Sequence, residues 1–127
     1  MKIRKQAAHQ WGLDAEAQAA AFLRGLGYRI LAERLRTVGG EIDVLAMDGA
    51  DTLVIAEVKA RRLLEDGLYS ITPAKRRRLA RAAEAVLMEA DKIAGLGNTD
   101  RLNIRFDVIV ITPDAAPEHL ANAWLVE

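Results

Sequence analysis

The 127-residue sequence contains no cysteine, only two histidines and few aromatic residues, which make up 5% of the chain. Without cysteine, the protein can form no disulfide, no thiolate zinc site and no cysteine nucleophile. His9 and His119 are far apart in the sequence and do not have the spacing of a zinc-ligand pair. The low aromatic content does not indicate sequence-specific recognition of single strands by base stacking.

Long hydrophobic runs are also missing. No apolar run approaches the roughly 18 residues of a membrane span, and residues 1–20 lack the apolar core of a signal peptide. The length suits one domain, and 51% hydrophobic residues are enough for a packed core. We therefore expect residues 1–127 to form a single cytoplasmic domain without a membrane partner.

The formal net charge is zero, with 18 basic and 18 acidic residues, but the charges are segregated along the chain. Residues 1–36 carry a net +4 and residues 59–81 a net +6. Between them, residues 37–58 contain five acidic and no basic residues, and residues 82–127 carry a net −5. Because salt confines the reach of a surface charge to about 8–10 Å, these local blocks matter more for phosphate binding than the total.

Apolar periodicity predicts a helix over His9–Leu26, and Thr72 and Pro73 are suited to the N-cap and first position of a long helix that Gly95 and Gly97 end. A charged loop is expected around residues 65–67. Alternating or Val- and Ile-rich segments predict strands over Tyr28–Arg36, Glu41–Met47, Thr52–Ala60, Asn103–Thr112 and a short Ala123–Val126. Since the long helix can serve as a crossover, the order predicts an α/β fold with a mixed central sheet flanked by helices.

Two acidic residues interrupt apolar strand sequence, namely Asp43 and Glu57. If Asp48 pairs with Thr52 across a three-residue turn, Asp43 falls opposite Glu57 on the same sheet face. A two-residue turn would place them on opposite faces unless a bulge intervened. Lys59 follows Glu57 by two residues and therefore points to the same face as Glu57.

Adjacent carboxylates repel each other, and a divalent cation relieves that repulsion. Oxygen ligands favour a hard ion such as Mg²⁺ or Mn²⁺, which could activate water and stabilise charge on a phosphoryl oxygen. A neighbouring lysine could orient the water. The alternative interpretation is a surface face on which Glu57 and Lys59 are merely solvated.

Lys75 and the three arginines that follow it occupy the first turn of the long helix, where cations oppose the helix dipole. Phosphate binding is one explanation, favoured by the preceding Lys59 and Arg61. The alternative is a solvated turn whose cations pair with nearby acids, namely Glu65, Asp66 or Glu84. Further along, the spacing of Arg105 and Asp107 favours a structural ion pair.

The series Gly40-Glu41-Ile42-Asp43, followed by Glu57-Val58-Lys59 and Arg61, resembles the signature of PD-(D/E)XK nucleases. The element order likewise resembles the restriction-endonuclease-like αβββαβ core. The chain is most similar to the YraN family, which resembles archaeal Holliday-junction resolvases. Further matching positions run along most of the chain, including Glu16, residues 27–31, Lys75, residues 105–108, His119 and residues 122–124. This sequence departs from the usual family pattern at Ala15, where Gly is common, and at Arg34, where Asn is common.

This resemblance implies an Mg²⁺- or Mn²⁺-dependent endonuclease acting on DNA, with a preference for branched or structured substrates. Asp43 and Glu57 would hold the metal, Glu16 would assist and Lys59 would position the water. DNA phosphates would be bound by basic side chains, namely Arg36, Arg61, Lys75, Arg76, Arg77 and Arg78. A symmetric homodimer would suit cleavage of two strands. The alternatives are a non-catalytic nucleic-acid-binding or assembly module of the same fold, and a purely structural partner protein.

Overall fold

The computed structural model describes residues 2–68 and 71–124, with side chains described for all of these except residues 2–10, 12, 13 and 68. Within these residues the fold is α/β, as predicted. The elements in chain order are α1 (Lys2–Gly25), β1 (Arg29–Thr37), β2 (Gly40–Asp48), β3 (Thr52–Ala60), α2 (Leu64–Leu68), α3 (Pro73–Met88), a 3-10 turn (Ala90–Lys92), β4 (Asn103–Ile111) and β5 (Glu118–Trp124).

The strands form one sheet in the order β1-β2-β3-β4-β5. Strands β3 and β4 are parallel, and the other neighbouring pairs are antiparallel. A parallel pair needs a long crossover, and the segment containing α2 and α3 supplies it. The sheet is therefore mixed, and its arrangement is consistent with a restriction-endonuclease-like core.

Helix α1 covers one face of the sheet. It contributes three alanines and a leucine, each at most 1% exposed, namely Ala15, Ala19, Ala20 and Leu23. These pack against alternate residues of the central strands, among them Val44, Ala46, Val54, Ala56 and Ile109. The small alanine side chains allow the helix to lie close to the sheet, so α1 is held firmly at the edge where the acidic residues lie.

Helix α3 covers the opposite face. Its buried side chains, including Leu79 and Val86, pack against Ile42, Leu45 and Phe106 of the sheet. The predicted start of this helix is confirmed, because the Thr72 hydroxyl accepts a hydrogen bond from the Lys75 backbone N–H at 3.2 Å. The cap fixes where the first turn of α3 begins and thereby where its four basic side chains lie.

Some boundaries differ from the predictions. Helix α1 begins at Lys2 rather than His9 and ends at Gly25. Its end is a Schellman motif, with Gly27 at φ +91° and with the Tyr28 N–H donating to the Leu23 carbonyl oxygen at 3.0 Å. The 3-10 turn replaces the last part of the predicted long helix, which ends at Met88.

The charged loop predicted around residues 65–67 is instead part of helix α2. Gly67 permits this, because a Cβ atom at that position would approach Val110 Cγ1 to 2.6 Å. Strand β5 begins at Glu118, well before the predicted Ala123, and residues 125–127 lie outside the described residues. Pairing with β4 produces this strand, which local sequence preference alone does not indicate. In the described part of the chain, no helix is long and apolar enough to cross a membrane.

Candidate functional site

A cleft of about 450 Å³ opens at the end of the β2–β3 hairpin away from its turn. Helix α1 forms one wall and the first turn of α3 contributes to the other. The cleft is lined by Trp11, Ala15, Glu16, Asp43, Glu57, Val58, Lys59, Ala60, Arg61 and Lys75. Six of the residues proposed from the sequence as site residues thus line one surface, namely Glu16, Asp43, Glu57, Lys59, Arg61 and Lys75.

The hairpin register that brings two of the acids together is the one predicted from a three-residue turn. Asp48 pairs with Thr52, and the register continues to Val44 opposite Ala56. At the next position a side chain accepts the hydrogen bond instead of the backbone of β2. Asp43 Oδ2 accepts this bond from the Val58 N–H at 2.8 Å. This bond anchors the Asp43 carboxyl beside Glu57.

Asp43 is held in an environment that disfavours its charge. Burial and the negative charge of Glu57 raise its pKa from 3.8 to about 7, although the hydrogen bond from Val58 acts in the opposite direction. A cation placed against Asp43 would reverse this effect by favouring the ionised form. Asp43 is therefore a carboxyl group of fixed position whose ionised form a bound cation would stabilise.

Glu57 is buried, at 4% exposure, and one of its oxygens contacts two lysines. Oε1 lies 3.0 Å from Lys59 Nζ and 2.6 Å from Lys75 Nζ. Burial and the neighbouring ammonium of Lys75 lower the pKa of Lys59, while the Glu57 charge opposes the change. The Lys59 amine is therefore less strongly basic than that of an exposed lysine.

Three carboxylates, one from α1 and two from β2, form an acidic group that could hold a metal ion. Oxygen atoms of Glu16, Glu41 and Asp43 all lie within 4.8 Å of one another. Glu16 Oε2 is buried and has no hydrogen-bond partner, and its nearest cation is Arg34, whose Nε lies 3.6 Å away. Burial raises the pKa of Glu16 despite the presence of Arg34. An orphaned buried oxygen among carboxylates fits a hard divalent cation, which takes oxygen ligands.

Glu41 is the acid that the sequence did not single out. It lies two residues before Asp43 on β2, so the alternation of a strand places both on one side. That spacing was an available signal. Glu57 was proposed as a metal ligand; it lies in the same cleft, but its Oε1 is engaged by the two lysines and it is not among the three clustered acids.

The proposed phosphate-binding cations are placed differently from one another. Lys75 faces the cleft, and Arg61 lines it while donating to the Ala60 carbonyl oxygen at 2.8 Å. Arg36 is 86% exposed, with its Nε 3.9 Å from Glu41 Oε2. The Arg76 guanidinium lies over the Trp124 ring, 5.5 Å from its centroid.

Arg77 and Arg78 are exposed on α3. Neither forms an ion pair with any of the described residues. The pairing with Glu65, Asp66 or Glu84 that the sequence allowed is therefore not formed by these two arginines. Their side chains are therefore available to a solvent-borne anion.

A second polar group lies on the α1 face of the sheet around Asp107, which is fully buried. The predicted ion pair is confirmed, since Arg105 Nε and Nη2 donate to the two Asp107 oxygens, each at 2.9 Å. Asp107 also contacts His119 Nε2 at 2.8 Å and accepts from the Asn122 N–H at 2.9 Å. Every oxygen of this carboxylate is satisfied within the chain, which is the behaviour of a structural group.

The sequence is similar to one protein family and to several of its members. Residues 15–111 match the family described as "Uncharacterised protein family UPF0102". A UPF0102 protein of Bradyrhizobium sp. strain BTAi1 is 44% identical over 118 residues, covering 93% of this chain and 82% of that protein. Another, from Rhodopseudomonas palustris strain HaA2, is 42% identical over 120 residues, covering 93% and 87%.

A third relative, a UPF0102 protein of Azorhizobium caulinodans, is 44% identical over 124 residues, covering 98% of this chain and 89% of the relative. The matched residues include the whole of the β2–β3 hairpin and the start of α3. These matches confirm the family assignment made from the sequence. The chain belongs to the UPF0102 family.

Proposed function

We propose that the protein is a metal-dependent phosphodiesterase, an endonuclease that acts on DNA. The observation that carries the proposal is the meeting of Asp43, Glu57 and Lys59 in one cleft, next to the acidic group that includes Glu16. Carboxylates crowded in this way, with the pKa of Asp43 raised to about 7, are characteristic of functional sites.

The chain's own residues would divide the work as follows. Asp43, Glu16 and Glu41 would hold Mg²⁺ or Mn²⁺, with Glu57 beside them. When bound, the cation would act as a Lewis acid that lowers the pKa of a water molecule and stabilises negative charge on a phosphoryl oxygen. Asp43 is oriented for its part by the Val58 N–H, and Glu57 by its two lysines.

Lys59 would orient the attacking water toward phosphorus. Its Nζ is fixed 3.0 Å from Glu57 Oε1, and its side chain is only 9% exposed, so it presents a held donor inside the cleft. Lys75 shares the same carboxylate oxygen and lies in the first turn of α3. It would neutralise charge that develops on the phosphoryl group.

The DNA backbone would lie along the first turn of α3. Arg77 and Arg78 are exposed there and unpaired within the described residues, and Arg61 lines the adjoining cleft. Because phosphate contacts carry no base information, this arrangement favours recognition of backbone shape, as in branched DNA, over recognition of sequence.

Cleavage is the direct test. Purified protein is incubated with end-labelled four-way junctions, flaps and linear duplexes in Mg²⁺ or Mn²⁺, beside Asp43→Asn and the matched control Asp91→Asn. Asp91 is an exposed acid of the 3-10 turn, far along the chain from the cleft. We expect cleavage by the wild type and by Asp91→Asn and none by Asp43→Asn. Equal cleavage by Asp43→Asn would refute the proposed site.

A non-catalytic nucleic-acid-binding module of the same fold is the second candidate. The observation that favours it is the engagement of Glu57 by two lysines, which already compensates that acid without a metal. This candidate predicts salt-dependent binding to the same substrates, weakened when Arg77 and Arg78 are neutralised, with no cleavage in either metal.

A further inference from the structure

Arg34 has a backbone conformation that its side chain does not favour. It lies in the middle of β1 with φ +51°. Among the described non-glycine residues, only Asn122 shares a positive φ, and asparagine tolerates that region far better than arginine does. A strained conformation of this kind persists only where the surroundings fix it, and such positions cluster at functional sites.

The guanidinium of Arg34 forms ion pairs with two acids, and these contacts favour the backbone conformation of Arg34. Its Nε lies 3.6 Å from Glu16 Oε2 and 3.9 Å from Glu41 Oε1. These two acids, together with Asp43, form the group whose oxygens lie within 4.8 Å of one another. Arg34 therefore brings a permanent positive charge to the acids that would hold the metal, and it does so beside the orphaned Glu16 oxygen.

The charges of the cleft and of the acidic group beside it can be counted from the acids and the cations paired with them. The four acids are Glu16, Glu41, Asp43 and Glu57, and their partners are Arg34, Lys59 and Lys75. Arg36 also reaches Glu41, but it is 86% exposed and is screened by solvent. Arg61 donates to the Ala60 carbonyl oxygen instead.

With every group ionised, this set has one negative charge in excess. One divalent cation changes the excess to one positive charge, which matches a single phosphodiester anion. A second divalent cation would leave an excess of three positive charges among groups that lie within a few ångströms of one another.

We propose that Arg34 takes the place of a second metal ion, so that the acidic group of Glu16, Glu41 and Asp43 binds one divalent cation beside the Arg34 guanidinium. The inference rests on the proposed function, since it concerns the same acids and the same metal. It adds a stoichiometry and assigns the role of a positioning cation to a residue that the signature motif does not include.

Mn²⁺ binding tests this directly, with the free ion measured by electron paramagnetic resonance during titration of the full chain. Arg34→Asn removes the cation and suits the backbone conformation, while Arg34→Lys keeps the charge. Arg36→Asn is the matched control, two residues along the same strand and in contact with the same Glu41. We expect one Mn²⁺ per chain for the wild type, Arg34→Lys and Arg36→Asn, and two for Arg34→Asn.

Circular dichroism confirms that each variant is folded before the titration. Two Mn²⁺ ions bound to the wild type would overturn the inference and leave the proposed function standing. One ion bound to Arg34→Asn, at whatever affinity, would overturn it as well, as would two bound to Arg34→Lys. Absence of any binding to the wild type would overturn both the inference and the metal dependence on which it rests.

Discussion

Two groups of buried or half-buried carboxylates lie on the sheet and the helix packed against it, and they differ in how their charge is satisfied. Around Asp107, Arg105 and the Asn122 N–H supply donors to both oxygens, and Arg105 also reaches Asp48 at 2.7 Å. In the cleft, Glu16 Oε2 has no hydrogen-bond partner and Asp43 faces the negative charge of Glu57. One group is complete within the chain, and the other keeps a buried oxygen without a hydrogen bond, beside which a cation could bind.

The pKa values of the two central acids shift in opposite directions. Burial raises the pKa of Asp107, but hydrogen bonds from Arg105, Asn122 and His119 outweigh burial and hold it below the usual value. At Asp43, burial and Glu57 raise the pKa to about 7 and a single backbone N–H fails to compensate. Burial alone therefore does not distinguish a functional carboxylate; the balance of donors around it does.

The largest expected effect is on the complete group. Asp107→Asn leaves the partly buried Arg105 guanidinium without its main carboxylate, and breaking a largely buried pair in this way costs about 3 kcal/mol of unfolding free energy. Urea denaturation followed by circular dichroism measures the loss. Asp114→Asn, at an exposed acid, is the control and should stay within about 0.5 kcal/mol of the wild type. A loss below about 1 kcal/mol for Asp107→Asn would contradict the structural role.

In the cleft, replacing the central acid should raise the unfolding free energy instead of lowering it. Because Asp43 has a folded pKa of about 7 against 3.8, the folded state binds more protons between these values, and stability falls as pH rises from about 4 to 7. In metal-free buffer at pH 8 the linkage amounts to about 4 kcal/mol, and Asp43→Asn should be more stable than the wild type by about half of this, about 2 kcal/mol, because an amide oxygen accepts the Val58 hydrogen bond more weakly than a carboxylate does. Urea denaturation at pH 5 and pH 8 in a chelator measures the difference. The same pH dependence in both proteins would show that Asp43 is not destabilised by its charge.

The smallest expected change in unfolding free energy comes from removing one hydrogen bond of the group around Asp107. Tyr28 accepts from Arg105 Nη2 through its hydroxyl at 2.6 Å, and its ring lies under the guanidinium. Tyr28→Phe keeps the ring and loses the hydrogen bond, which should cost about 1 kcal/mol. Glu16→Gln in the cleft removes a charge that has no hydrogen-bonded partner at Oε2 and should cost less. If Glu16→Gln proved the more destabilising of the two, the contrast between the groups would fail.

Much of the fold followed from local sequence. The three-residue turn between β2 and β3 set the register correctly, because Asp48 and Thr52 flank a short polar segment between apolar strands. The Thr72 cap and Pro73 fixed the start of α3 for similar local reasons. Strand β5 and helix α2 could not be placed in this way, since pairing with β4 and the packing of Gly67 on Val110 determine them.

The site was predictable where residues lie on one hairpin and less so elsewhere. Asp43, Glu57 and Lys59 follow from strand alternation and register. The approach of Lys75 to the same Glu57 oxygen depends on how α3 crosses the sheet, which the sequence does not specify. Arg34 reaches Glu16 and Glu41 through a positive φ that nothing in its neighbours along the chain requires.

The measurement that tests the central claim most directly is DNA cleavage by Lys59→Met, compared with Lys92→Met as an exposed control, in saturating Mn²⁺. The Lys59 side chain is only 9% exposed and is held by Glu57, so its loss should leave DNA binding by the exposed arginines of α3 within a few-fold of wild type. Cleavage should fall by about 100-fold or more, as expected when a held donor is removed from the reacting group. DNA binding without any wild-type cleavage, or unchanged cleavage by Lys59→Met, would contradict the assignment of this cleft as a phosphodiesterase site.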